Sequence, residues 1–230
     1  MSLYYSKEGL YREISRLKSF LGIDENHYGF DLINMLLNDG FLLRSIPFQT
    51  KGLRGMAIIG NADLEDVILL NSKRNHTEQN FDCGHEMIHL ALHRRLEQKT
   101  FNCFDKVQAN QNPFTEWQAN EGAAEFFVPY KIFLPMIAEC YPLLDNYSNI
   151  ERFKFEMAEI FNVPEAVIKY RIENLKYEIE QYLSGTPLNE IEILSAKKQE
   201  ARSIHTVSLN QISDDDFSRR MNKYWHMHIS

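Results

Sequence analysis

Cysteine is scarce in this chain. Its 230 residues hold only Cys83, Cys103 and Cys140, odd in number and irregular in spacing. That argues against a disulfide framework and suits a reducing compartment. Long apolar runs are absent too, since none approaches the ~18 residues that a membrane-spanning helix needs. The start, Met1 to Glu8, lacks the pattern of a secretory leader. We therefore expect a cytoplasmic protein with no membrane partner. Positive charge is in deficit, with 25 Lys and Arg against 32 Asp and Glu and a formal net charge of −7. Direct binding of nucleic acid, which needs clustered basic residues, is disfavoured. An acidic surface instead suits a basic protein partner. There are no internal repeats and no low-complexity stretch. Hydrophobic residues at 44% and aromatic residues at 12% describe a folded globular protein, long enough for one full core and a smaller appendage.

The most informative segment is His85-Glu86-Met87-Ile88-His89, an HExxH pattern. On an α-helix, residues four apart lie about 40° apart around the axis and about 6 Å apart along it. His85 and His89 can thus aim two imidazoles at one metal ion. Glu86 is placed to act as general base on a nearby water. Asn75 and Glu78 have the spacing of a capping box, and the run from His76 to about Leu96 reads as one helix. The motif therefore falls on the element it requires.

A catalytic zinc site normally takes three protein ligands, and a second helical stretch between Pro113 and Pro129 offers glutamates at 116, 121 and 125. Ala119, Asn120 and Ala123 share the face of Glu116, and that face is small enough to pack closely on the first helix. Glu121 and Glu125 are turned about 140° and 180° away. If the small face meets the HExxH helix, Glu116 is the third ligand and Asn120 a supporting group that orients a ligand. Glu121 and Glu125 are expected on a solvated face.

The sequence His85-Glu-x-x-His89, followed by Glu116-x-x-Ala119-Asn120 with Ala123-Ala124 and Pro129, resembles the ImmA/IrrE family of metallopeptidases. Phe81 before the motif and Leu92-His93 after it agree with this. So does Phe161-x-Val163 with Arg171-x-x-x-Leu175 downstream, and the resemblance spans roughly residues 30 to 180. Three positions depart from the family habit. Ile88 stands where Gly is frequent, Gly84 where a small Ala is common, and Phe127-Val128 where Leu-Leu is common. These differences concern packing more than ligation. The resemblance implies an α+β, mainly helical, zincin-like metallopeptidase with a small three-stranded sheet beside the HExxH helix. It also implies one Zn²⁺ per chain, held by His85, His89 and Glu116.

Around that centre, residues 6–22 and Phe30 to Leu37 read as helices. Phe41 to Pro47, Gly55 to Ile59 and Val67 to Leu70 read as strands separated by Gly, Asn and Asp turns. Further helices are expected over Tyr130 to Cys140, Ile150 to Phe161 and Pro164 to Tyr182. Ser184-Gly-Thr-Pro187 reads as a linker. This divides the chain into a peptidase domain at 1–183 and an extension at 184–230. The extension is expected to hold a helix near Asn189 to Arg202, a short segment at Val207 to Ile212 and a terminal helix.

Other candidates receive plainer readings. His93 continues the i, i+4 series but sits about 80° round from His85, so it is a core or supporting histidine rather than a ligand. Cys83 reads as a small buried apolar residue. His226 and His228, beside Trp225, could bind metal only adventitiously. Met157 to Arg171 has the rhythm of a helix-turn-helix, but the second helix carries more acid than base, so packing within the domain is favoured. Tyr130 and His76 are the two guesses for an oxyanion donor.

The expected activity is zinc-dependent, site-specific cleavage of a peptide bond. By resemblance, the substrate is a helix-turn-helix (Xre-type) repressor whose loss relieves repression in a prophage, mobile element or stress response. The competing reading is a non-catalytic antirepressor or toxin–antitoxin component that sequesters its partner; an intact Glu86 argues against it.

Overall fold

A computed structural model describes residues 5–211. The terminal helix and the His226–His228 pair expected from sequence lie outside the described residues. The chain divides into two compact units.

The first unit is built from Leu10–Phe127 with Asn162–Pro164. It contains most of helix α1 (Lys7–Phe20), α2 (Leu32–Asn38), strands β1 (Leu42–Ile46), β2 (Leu53–Ile58) and β3 (Val67–Asn71), then α3 (His76–Leu92), β4 (Thr100–Phe104) and α4 (Pro113–Phe127). The sheet order is β1-β3-β2-β4; β1 runs parallel to β3, while β2 runs antiparallel to both β3 and β4. Among the described residues the sheet therefore has four strands, one more than the sequence suggested. The extra strand is Thr-Phe-Asn-Cys-Phe, whose alternate residues Phe101 and Cys103 are buried.

Small residues decide how α3 lies on this sheet. Gly55 and Ala57 face inward from β2, and Ala57 is fully buried. A side chain at Gly55 would begin 2.7 Å from Glu86 Oε1, so the glycine lets the helix approach. Across α3, Gly122 of α4 leaves room for Ile88 and Ile14, whose methyl groups would stand 3.2 Å from an added Cβ. The capping box starts α3 as expected, with the Glu78 N–H donating to Asn75 Oδ1 and the Asn75 N–H donating to Glu78 Oε2. The helix stops at Leu92 rather than near Leu96, because His93 leaves the helical region at ψ 6°.

One expectation about α4 is overturned. Glu121 and Glu125 are buried, at 1% and 6% exposure, not solvated. The far side of α4 is covered by α1, whose Tyr11 hydroxyl donates to Glu121 Oε1 at 2.5 Å. Lys18, also buried, lies in the field of Glu125 and over the rings of Phe30 and Phe126. Tyr11 and Lys18 are two turns apart on α1 and meet carboxylates one turn apart on α4.

The second unit comprises Ser6–Gly9, Val128–Phe161 and the chain from Glu165 on. Its helices are α5 (Tyr130–Cys140), α6 (Tyr147–Phe161), α7 (Glu165–Asn174), α8 (Lys176–Leu183) and α9 (Ala196–Ala201). The single helix expected over Pro164 to Tyr182 is divided at Leu175, which has ψ 10°. Hydrogen bonds still run from Leu175 back to Arg171 and from Ile179 back to Leu175, so the helix bends there without stopping. Arg171 is fully buried, and its Nε–H donates to the Val128 carbonyl at 3.1 Å. The helix expected near Asn189 to Arg202 is shorter, reduced to α9 and a 3₁₀ turn at Leu188–Glu190.

Candidate metal centre

The site is assembled from α3 and α4 in the first unit. One helical turn on α3 brings His85 and His89 together, with their Nε2 atoms 3.1 Å apart. Glu116, in the first turn of α4, places its carboxylate oxygens 3.5 Å from His85 Nε2 and 3.8 Å from His89 Nε2. α4 starts at Pro113, and the Asn112 side chain accepts from the Phe114 N–H at 2.9 Å, which anchors the turn carrying Glu116. Ala119 and Ala123 are fully buried where α4 meets α3.

Hydrogen bonds fix how each imidazole presents itself. His85 Nδ1 lies 3.1 Å from Asn120 Oδ1, an acceptor, so the proton sits on Nδ1. His85 Nε2 is then a bare lone pair. His93 Nε2 lies 2.9 Å from Gln118 Oε1. By the same logic His93 donates there, which leaves His93 Nδ1 as an acceptor for the His89 Nδ1–H at 2.8 Å. His89 Nε2 is bare as well. Gln118 had no sequence signal pointing to it beyond its place two residues after Glu116. Phe101 of β4 stacks on the His89 ring at 4.4 Å between centroids and 17° between planes, holding the ring in place.

Burial sets the charges. His85, Glu86 and His89 are at most 1% exposed, and Glu116 is 4% exposed. Burial, followed by His85 and His93, pushes His89 well below the usual imidazole range, so it stays neutral. Burial also lowers His93. Glu86 is pushed well above the ordinary carboxyl range, first by burial and then by Asp82 and Glu116, with Arg54 and the Cys103 N–H opposing. Asp82, one turn before Glu86, meets Arg54 Nε at 3.1 Å and Arg74 Nε at 2.6 Å.

These residues fit a metal ion. Two bare imidazole lone pairs facing each other at 3.1 Å repel unless a cation lies between them. A tetrahedral ion with bonds of about 2 Å separates its ligand atoms by about 3.3 Å, close to the spacings of His85, His89 and Glu116. The structure thus brings the three residues singled out from sequence into one buried group, with Asn120 and His93 each touching one of its histidines. His76 lies elsewhere. It opens α3, bonded to Asp31 Oδ2 at 2.7 Å, about 14 Å of helix rise from His85. Cys83 is fully buried, and burial raises its thiol pKa.

The comparisons with known proteins point the same way. The model of the IrrE N-terminal-like domain matches residues 40–173. The chain is also similar to the metallopeptidase ImmA of Bacillus subtilis, with 32% identity over 136 residues that cover 59% of this chain and 70% of that protein. The matched region contains α3, β4 and α4 complete. No helix among the described residues is long and apolar enough to cross a membrane.

Proposed function

The chain belongs to the ImmA/IrrE family of metallopeptidases, and from that premise we propose that it is a zinc-dependent endopeptidase that cleaves a helix-turn-helix repressor at one site. The observation that carries the chemistry is the pair of bare Nε2 atoms closed by the Glu116 carboxylate. In this reading His85, His89 and Glu116 hold the ion. Two neutral imidazoles and one carboxylate suit zinc, with a fourth position left open. When bound, zinc polarises a carbonyl and acidifies water.

Glu86 does the proton work. Its raised pKa places it closer to neutrality than an ordinary glutamate, which favours both taking and returning a proton. It removes a proton from the attacking water and later delivers it to the departing amine nitrogen. Asn120 and the Gln118–His93 pair keep His85 and His89 in the tautomers that bind. The acidic balance of the chain favours a basic partner. Cleavage of a repressor encoded nearby, relieving repression in a prophage, mobile element or stress response, is the role that the family membership favours.

The test follows intact masses of candidate repressors from neighbouring genes, incubated with zinc-loaded protein or with Glu86→Gln. A single cut made by the wild type and slowed ~10²–10⁴-fold by the variant supports the reading. A stable complex with no cut by either protein would instead favour sequestration.

A further inference from the structure

Cys103 is the unexplained group beside this centre. It comes from β4, the strand that the sequence did not announce, and its thiol is 1% exposed. Its Sγ, a carboxylate oxygen of Glu86 and a ring nitrogen of His85 all lie within 4.8 Å of one another. Arg54 Nη2 sits 3.0 Å from the sulfur while Arg54 Nε meets Asp82, which fixes the direction from which the thiol faces the site. Glu86 supplies the second observation. It is fully buried, and apart from a weak contact from the Cys103 N–H neither of its oxygens receives a hydrogen bond among the described residues. A buried carboxylate left this way, facing a thiol and an imidazole, is a donor set in want of a cation.

We propose that His85, Glu86 and Cys103 form a second metal position, alternative to the one formed by His85, His89 and Glu116 and selective for thiophilic ions. The inference rests on the reading of the first position as the catalytic one. Asn120 engages His85 Nδ1, so both positions must draw on the same Nε2, and one ion excludes the other. A thiolate ligand selects zinc and softer ions over magnesium or calcium. Binding replaces the thiol S–H bond by a sulfur–metal bond and releases that proton to solvent, with no electron transferred. An ion in this position occupies the carboxylate that the hydrolytic reading needs as a base. The protein would therefore be held inactive by a more thiophilic ion such as cadmium and restored when that ion is removed and zinc is returned. The side chains must close by a fraction of an ångström to reach bonding distance. Among the described residues β4 is an edge strand paired on one side only, which makes that movement inexpensive.

The experiment uses the full chain, stripped of metal and titrated with cadmium. It reads the ultraviolet thiolate-to-cadmium charge-transfer absorption and counts bound ions by elemental analysis. The wild type gains the band. Cys103→Ser loses it yet still binds one ion, through His85, His89 and Glu116. His89→Ala, which disables only the first position, keeps it. If the wild type binds an ion with no band, the second position does not exist and the hydrolytic reading stands. A band that survives in Cys103→Ser belongs to Cys83 or Cys140 and also overturns the proposal. If no form binds cadmium or zinc, both readings fail together. Cys103→Ala provides a second variant should serine disturb the contact with Arg54.

Discussion

At the scale of single residues, glycine and amide side chains matter as much as the groups that would do chemistry. Gly55 is a glycine because Glu86 occupies the space a side chain would need, with an added Cβ only 2.7 Å from Oε1 and 3.1 Å from Cγ. Gly55→Ala should therefore turn the Glu86 carboxylate without touching His85, His89 or Glu116. We expect zinc content to stay at one per chain while the cleavage rate falls ~10²-fold, the usual penalty for a misplacement of about 1 Å. Elemental analysis and single-turnover cleavage check this together, and an unchanged rate would show that Glu86 has slack. Asn120 and Gln118 call for the opposite outcome. Asn120 holds His85 Nδ1–H so that Nε2 faces the site, and Gln118 does the same for His89 through His93. Asn120→Ala and Gln118→Ala should weaken zinc ~10–100-fold, measured by competition with a chromogenic chelator. Glu116→Ala should weaken it more than either.

Between elements, the packing of α3 against α4 turns on a paired change. A Cβ at Gly84 would fall 2.4 Å from Phe127 Cε2, so the phenylalanine ring fills the place where an alanine side chain would stand. Phe127 is fully buried and packs against Phe30 and Phe81 with ring centroids at 5.3 and 6.0 Å. Gly84→Ala alone should destabilise the fold by ~1–3 kcal/mol through overpacking. Phe127→Leu alone should lose stability through a cavity. The double variant should recover much of both losses, because the smaller side chain makes room for the methyl group. A denaturant-based double-mutant cycle reads the coupling, and simple additivity would mean that the two positions do not share space.

The same elements show what the sequence made legible. The capping box, the HExxH spacing and the small face of α4 are local patterns, and they placed His85, Glu86, His89, Glu116 and Asn120 on the right helices. Strand β4 was harder to see, since its five residues hold only two repeats of polar–apolar alternation, too short a run to stand out between polar loops; its place is set by pairing with β2 and by Phe101 stacking on His89. The burial of Glu121 and Glu125 was invisible for a similar reason. Helical phase says which way a carboxylate points, but only the docking of α1 says what waits there. Gln118 and Cys103 likewise gain meaning only from neighbours distant in sequence.

At the scale of the whole molecule, the fold buries charge, and the pH dependence of its stability has a definite sign. In the second unit Lys7 and Glu178 are 4% and 0% exposed, with Nζ 2.8 Å from Oε1. Lys7 also donates to the Asn174 carbonyl at 2.5 Å, and the Leu194 N–H donates to Glu178 Oε1 at 3.1 Å. The pair thereby joins the end of α7, α8 and the segment before α9. Burial nonetheless raises the Glu178 carboxyl above its ordinary 4.5, and Lys7 pulls it back only in part. In the window above pH 4.5 the folded state thus holds more of this proton than the unfolded chain, and its contribution to stability declines as pH rises through that window. Glu178→Gln cannot titrate and, like the protonated carboxyl, carries no charge. We expect it to be at least as stable as the wild type at pH 7, because a carboxyl more easily protonated in the folded state than in the unfolded chain is not held there by its charge. The wild type should gain stability relative to the variant as pH falls from 7 toward 4.5. Urea unfolding of both proteins across that range measures it. A wild type that loses stability relative to the variant on acidification would mean that Lys7 outweighs burial and that Glu178 is held below 4.5 instead.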